Sequence, residues 1–200
     1  MRKVGIMGGT FNPIHFVHLL LAEAAYEQYH LDEIVFLPSK RPAYKPLSEV
    51  IEEEHRFHMI ELAIRDNPHF SVSDMEFHRE GNTYTADTLL ELTNKFPDTE
   101  FYFIIGGDSL FELEKWSRPE IVMEKAHIVA AGRDDKVNER LALKMMELNE
   151  KYKAKIELLQ VPMMEVSSRM LRERVKEGQS IRYFLPESVR SYIIEHGFYL

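Results

Sequence analysis

The chain of 200 residues contains no cysteine. Disulfides, thiolate zinc sites, iron–sulfur clusters and cysteine nucleophiles are therefore excluded, and the composition suits a reducing compartment. There is one tryptophan, and nine glycines and nine prolines are scattered without a repeat or low-complexity stretch. No window comes near the ~18 consecutive apolar residues of a membrane span. Met1-Arg2-Lys3 runs straight into a strand-like Val4-Gly5-Ile6-Met7 with no secretory-signal pattern, so a cytoplasmic protein is expected. Positive charge is also scarce: 25 Lys and Arg against 33 Asp and Glu leave a net charge of −8. A protein that binds nucleic acid by covering phosphates normally carries the opposite sign, and that class is set aside. A small polyanion remains admissible, provided the few positive groups gather at one place.

Short apolar runs alternate with helical patterns. Strands are expected at Lys3–Met7, Ile34–Leu37, around Phe70 and Val72, at Phe101–Ile105, Ile128–Ala131 and Ile156–Val161. Helices are expected from an Asn12 cap with Pro13 at the first position to about Tyr29, from a Ser48 cap through Arg65, over Thr83–Phe96, over Glu139–Tyr152, and from near Ser167 and Pro186. This alternation predicts an α/β, Rossmann-like, doubly wound and mainly parallel sheet with helices on both faces and a small C-terminal helical part, about 163–200. No linker interrupts it, and 1–200 reads as a single domain. Ligands of such sheets bind beyond the carboxyl ends of the strands, so chemistry is expected just after Met7, Leu37, Ile105, Ala131 and Val161.

The first of these turns is Gly8-Gly9-Thr10-Phe11-Asn12-Pro13-Ile14-His15-Phe16-Val17-His18. Two glycines permit close backbone approach, and a helix opening there would offer N–H groups and a positive dipole end to an anion. A dinucleotide fingerprint would need glycine where Phe11 and Ile14 stand, and the G-K-[ST] of a Walker loop is absent. His15 and His18 share one helix face, placed to donate to phosphoryl oxygens as charge develops. His55 and His58 have the same spacing among Glu52, Glu53, Glu54 and Arg56, where a solvated face is expected; spacing alone decides little. No third ligand at a recognisable spacing makes a zinc site of the first pair. Phe103-Ile104-Ile105-Gly106-Gly107-Asp108 is a buried strand ending in a glycine turn and a carboxylate. Trp116, with charged flanks, suits a partly exposed ring that stacks on a planar heteroaromatic. In Val166-Ser167-Ser168-Arg169-Met170-Leu171-Arg172 either serine can cap a helix facing the first turn, with Arg172 one turn in. Lys40, Arg41 and Lys45 lie in a loop restrained by Pro42 and Pro46.

G-G-T-F-N-P-I-H-x-x-H resembles the signature of the nucleotidyltransferase superfamily. The match extends through Thr83-Tyr84-Thr85-Ala86-Asp87-Thr88-Leu89 and the serine–arginine motif to Ile181-Arg182-Tyr183-Phe184-Leu185-Pro186 and His196-Gly197-Phe198-Tyr199, and is similar to the bacterial nicotinate-nucleotide adenylyltransferase family. That resemblance implies an enzyme of NAD biosynthesis joining nicotinate mononucleotide to the adenylyl group of ATP by direct in-line attack, with pyrophosphate leaving. It implies catalytic His15, His18 and Arg172. It assigns the ATP end to Gly8, Gly9, Thr10, Phe11, Lys45, Gly106, Asp108, Arg133, Ser167 and Ser168, and the pyridine nucleotide to Thr85 and Trp116. Mg²⁺ is expected to arrive with ATP, held mainly by phosphates and water; a homodimer is a family-level expectation. Arg169 departs from the family's I-S-S-T-x-x-R, where threonine stands. The alternatives are a related transferase using nicotinamide mononucleotide or phosphopantetheine, and a non-catalytic nucleotide sensor.

Overall fold

A computed structural model describes residues 1–42, 49–132, 135–162 and 164–200, with side chains omitted over 135–138. The strands are β1 (Arg2–Gly9), β2 (Glu33–Pro38), β3 (Phe70–Val72), β4 (Thr99–Gly106), β5 (His127–Ala131) and β6 (Ile156–Leu159). They form one sheet in the order β3-β2-β1-β4-β5-β6, with every pairing parallel. Successive residues of a strand face opposite sides, and the core divides accordingly. Val4, Ile6, Phe101, Phe103, Ile128 and Ala130 point to one side; Met7, Tyr102, Ile104 and Val129 point to the other. Strand order reverses direction between β1 and β4, so the crevice beyond their carboxyl ends is where such a fold takes a ligand.

The helices are α1 (Phe16–Tyr29), α2 (Glu53–Ile64), α3 (Thr85–Lys95), α4 (Gly107–Glu112), α5 (Pro119–Lys125), α6 (Asp135–Tyr152), α7 (Ser168–Lys176) and α8 (Glu187–Glu195), with 3₁₀ turns at Met75–His78 and Leu113–Lys115. Residues of α7, α8 and the stretch between them, including Leu171, Leu185 and Ile193, are buried in the same cluster as Met7 and Phe36. The helical C-terminus is thus welded to one face of the sheet. Among the described residues, no helix is long and apolar enough to cross a membrane.

Several sequence expectations are corrected. Helix α1 starts at Phe16 with His15 as its cap, because the Asn12 side chain is taken by distant partners: its amide donates to the Glu49 carbonyl (2.7 Å) while its oxygen accepts from the Tyr199 hydroxyl (2.9 Å). Helix α2 begins at Glu53, its first turn carrying Glu53 and Glu54 against the positive helix end; Ser48 lies outside the described residues. Strand β6 ends at Leu159, because the Gln160 N–H is bonded to the Gln28 side chain instead of the sheet. The short helices α4 and α5 and both 3₁₀ turns were not expected. His55 is half-buried against His196 and Phe198, with its Nδ1 2.7 Å from the Tyr192 hydroxyl, so only exposed His58 fits the solvated face.

Candidate active site at the β1–β4 crevice

The chain leaves β1 through Thr10 and Phe11, whose φ of +49° lies in the left-handed region a side chain adopts only when its surroundings enforce it. The enforcement is visible: the Phe11 ring is buried, edge-on to His18 at 5.0 Å and tilted on Phe36 at 5.8 Å. A Cβ at Gly9 would lie 3.1 Å from that ring, and one at Gly8 3.2 Å from Phe103. Both glycines therefore also make room for aromatic packing beneath the turn. Phe11 itself offers its backbone, and its ring supports His18.

The His15 and His18 rings lie tilted against one another, 32° between planes, with centroids 3.8 Å apart. The His15 N–H donates to His18 Nδ1 at 3.2 Å, so the neutral His18 ring carries its proton on Nε2, the far side of the imidazole. His15 is 4% exposed and its Nδ1 has no hydrogen-bond partner among the described residues. Burial pushes its pKa down to about 4, leaving it neutral at pH 7. A neutral His15 places no cation against His18, whose Nε2–H remains a neutral donor facing away from the pair. The helix end contributes less than expected, because the Phe16 N–H is bonded to the Phe184 carbonyl (3.1 Å) and that of His18 to the His15 carbonyl (3.0 Å).

Helix α7 docks on this turn from the opposite flank. Ser167 caps it, accepting from the Met170 N–H; the Ser168 hydroxyl donates to the Pro13 carbonyl (2.8 Å), and Arg172 Nη1 donates to the Asn12 carbonyl (3.0 Å). Arg172 is thereby fixed beside the histidine turn with Glu49 4.0 Å away. A cavity of about 390 Å³ opens between α1, the ends of β4 and β5 and the start of α7, lined by Val17, Gly106, Ala131 and Ser167 among others. A Cβ at Gly106 would meet nothing, whereas one at Gly107 would sit 2.9 Å from the Ala131 carbonyl, so this glycine pair is both open to the cavity and closely packed behind it. Asp108 is exposed in the first turn of α4.

Thr85 and Trp116 flank the other side of β1–β4. Trp116 is half-buried, its ring edge-on to Phe103, the same ring that closes on Gly8. Thr85 is the first residue of α3, capped by Tyr84 rather than by a hydroxyl. An Arg118–Asp87 ion pair joins the first turn of α3 to the residues just after Trp116, bringing the two expected pyridine contacts onto one flank.

Beneath α3 lies Glu76, buried, accepting from the Thr88 hydroxyl (2.6 Å), which in turn accepts from Arg79. Burial raises its pKa to about 7 against the opposing pull of Thr88 and Arg79. A raised carboxyl contributes stability that is full below its unfolded pKa of about 4.5 and lost as pH rises through about 7. His15 acts oppositely: its contribution is full above about 6.5 and lost as pH falls through about 4. Each amounts to roughly 3 kcal/mol, and the two slopes oppose one another over most of their range. In urea melts, the stability of the wild type minus that of Glu76→Gln should therefore fall by about 3 kcal/mol between pH 4 and 8. A pH-independent difference would show that the carboxyl titrates alike in the folded and unfolded states.

Not every expected cation reaches the crevice. Lys40 is tied to the Phe77 carbonyl (2.7 Å), and Arg169 is 81% exposed and paired with Glu173 at 2.8 Å, a solvated helix residue. Lys45 and Arg133 lie outside the described residues. Arg41 is exposed, its backbone paired with Thr83. Sequence reasoning missed Arg56, which is 1% exposed behind the turn. Its neighbours Glu53 and Glu54 suggest solvent, yet Arg56, Met59, Ile60 and Ile64 follow the i, i+3, i+4, i+8 spacing of a buried stripe, and that signal could have found it. Among the described residues no cluster of three His, Asp or Glu is placed to hold a metal; the donors of the turn are imidazole and guanidinium N–H groups, suited to oxygen anions.

A parallel 3-2-1-4-5-6 sheet whose switch point carries a glycine turn, a histidine pair and an arginine from α7 has the fold of a nucleotidyltransferase. The cytidylyltransferase-like family matches residues 6–174, which include all of these groups. A "probable nicotinate-nucleotide adenylyltransferase" of Lachnoclostridium phytofermentans is 92% identical over 200 residues, covering 100% of both chains. One of Bacillus cereus is 41% identical over 199 residues, covering 100% of this chain and 99% of its own. The chain belongs to the nicotinate-nucleotide adenylyltransferase family. Among solved structures, Plasmodium falciparum nicotinic acid mononucleotide adenylyltransferase complexed with NaAD superposes with a TM-score of 0.83 at 21% identity, covering 100% of this chain and 98% of that one.

Proposed function

We propose that this enzyme joins nicotinate mononucleotide and ATP to give nicotinate adenine dinucleotide and pyrophosphate, with the residues of the β1–β4 crevice in the roles below. The observation that carries the site assignment is the convergence of His15, His18 and Arg172 on one turn at the strand-order switch. A 5′-phosphate oxygen of the mononucleotide attacks the α-phosphorus of ATP; the bond from that phosphorus to the bridging oxygen breaks, and pyrophosphate leaves with the electron pair. A phosphate monoester is largely ionised at neutral pH, so no carboxylate base is required, and positioning with charge stabilisation supplies most of the acceleration.

His18 donates from Nε2 to the α-phosphoryl oxygens as their charge grows, and neutral, buried His15 orients the triphosphate end by holding the His18 ring in place. Arg172 brings a planar fork of donors to the phosphates. The adenosine lies in the cavity beside Gly106, with Asp108 on its ribose and Ser167 at the helix end; Gly8, Gly9, Thr10 and Phe11 line the turn, Ser168 holds α7 against it, Lys45 contacts phosphate and Arg133 serves the adenylyl end. Mg²⁺ brought in with ATP would be held mainly by phosphate oxygens and water and would supply charge neutralisation for the leaving pyrophosphate. Residues 1–200 act as one domain, in the cytoplasm, as a homodimer by family likeness.

Trp116 stacks on the pyridine ring, with Thr85 at its edge. Trp116→Ala should raise KM for the mononucleotide about tenfold while leaving KM for ATP within about twofold, consistent with base–aromatic stacking of about 1–3 kcal/mol. Equal effects on both substrates would remove it from this role. Presenting nicotinate mononucleotide, nicotinamide mononucleotide and phosphopantetheine separately with ATP, and following pyrophosphate release, tests the reaction itself. Only the first two should react, the first best; absence of dinucleotide with every acceptor would indicate a nucleotide sensor.

A further inference from the structure

Arg56 is not among the groups assigned above, yet it is the buried cation that lies against the phosphate turn. Its Nη1 donates to the Thr10 carbonyl (2.9 Å), its Nη2 to the Lys40 carbonyl (3.3 Å) and its Nε to the Ile51 carbonyl (3.0 Å). Three segments meet in this fork: the turn after β1, the loop after β2 and the approach to α2. Ser39, next to Lys40, donates its N–H to the Gly9 carbonyl (2.9 Å), so the β2 loop runs along the same turn.

A buried charge is costly unless an opposite charge compensates it. Arg56 is 1% exposed and, among the described residues, no carboxylate lies within ion-pair distance. Burial depresses its pKa, opposed by the more distant Glu53 and Tyr199, and a guanidinium stays protonated in any case. Neutral carbonyls satisfy its hydrogen bonds but do not cancel its charge. With no carboxylate among the described residues paired to it directly, and Glu53 acting only from outside ion-pair distance, the Arg56 charge is incompletely compensated although the protein as a whole carries −8. A ligand of opposite sign on the far side of Thr10 would complete the balance.

We propose that Arg56 is a positioning residue for the polyphosphate end of the site: its fork sets the backbone of the Thr10 turn, and its charge forms a fixed positive field behind that turn which a polyphosphate compensates on binding. This rests on the reading that ATP occupies the β1–β4 crevice. Field and geometry separate by substitution. Arg56→Lys keeps a charge but has no planar fork to span three carbonyls; Arg56→Gln keeps polarity and loses the charge.

The test is the dissociation constant of inorganic tripolyphosphate by calorimetry, beside kcat and KM for each substrate, on the full chain with thermal melts as the folding control. Arg56→Gln should weaken tripolyphosphate binding about tenfold or more, with KM for ATP rising and that for the mononucleotide within about twofold. Arg56→Lys should hold tripolyphosphate affinity within about threefold while kcat falls about tenfold or more. Unchanged kcat in Arg56→Lys, or unchanged tripolyphosphate affinity in a folded Arg56→Gln, overturns the proposal. If Arg56→Gln does not fold, the lysine variant decides alone through its split between affinity and kcat. A wild type that binds tripolyphosphate in an Arg56-dependent way but forms no dinucleotide would instead refute the activity reading.

Discussion

Replacement of His18 by alanine is expected to lower kcat about 10²–10³-fold with little change in melting temperature, a loss of about 3–4 kcal/mol of transition-state stabilisation. The expectation follows from the ring's setting. Its Nδ1 is occupied by the His15 N–H, which fixes the proton on Nε2, and its face is held by the Phe11 edge and the His15 ring. The imidazole is therefore oriented before substrate arrives. The contribution appears as α-phosphoryl charge develops, so kcat should suffer more than KM. Asparagine, another neutral donor, should recover a small part of the loss. Near-wild-type pyrophosphate release by His18→Ala would remove the residue from the mechanism, whatever its place in the turn.

The second large effect is expected at Arg172. Its Nη1 already spends one donor on the Asn12 carbonyl, which holds the guanidinium against the turn while other N–H groups of the fork remain for phosphate. Arg172→Ala removes a charge and one tie between α7 and the turn; the Ser168 hydroxyl on the Pro13 carbonyl preserves the other. The helix should stay docked while kcat/KM for ATP falls about 10²-fold, and lysine should restore only part, because an ammonium cannot hold carbonyl and phosphate in one plane. Steady-state kinetics beside circular dichroism checks this; a kcat/KM for ATP within about threefold of wild type would exclude the role. Arg169, three residues earlier, faces Glu173 and solvent, and its substitution should leave activity unchanged.

Much of the fold was legible because parallel strands buried on both faces read as apolar runs: Phe101–Ile105 and Ile128–Ala131 fall within β4 and β5, and Ser167 caps α7 as its position before an amphipathic stretch implies. The turn after β1 and its histidine pair were legible by place, since strand one must end at the ligand edge. What stayed hidden depends on partners distant in sequence. Asn12 reads locally as a cap, but Glu49, Ile51 and Tyr199 claim its side chain, and α1 starts later in consequence. Arg56 reads as solvated among glutamates, but three carbonyls from three segments draw it inward. The short α4 and α5 carry too few residues for periodicity to declare them.

The opening imbalance of charge also resolves into places. Of the positive groups expected at the sheet edge, His15, His18 and Arg172 stand together at the turn, Lys40 is bound to the Phe77 carbonyl, and Arg169 belongs to the surface. Arg56 takes a place behind the turn that no composition could show. A chain with net −8 thus holds Arg172 and Arg56 on backbone carbonyls beside one turn, a place suited to the two anionic substrates of the proposed reaction.

The proposed reaction is adenylyl transfer from ATP to nicotinate mononucleotide at this turn. It is tested most directly by measuring kcat/KM for nicotinate mononucleotide and for nicotinamide mononucleotide at saturating ATP, counting pyrophosphate and dinucleotide together. One pyrophosphate per dinucleotide and a clear preference for the nicotinate form are expected; equal or greater efficiency with the amide, or pyrophosphate without dinucleotide, would exclude this reaction.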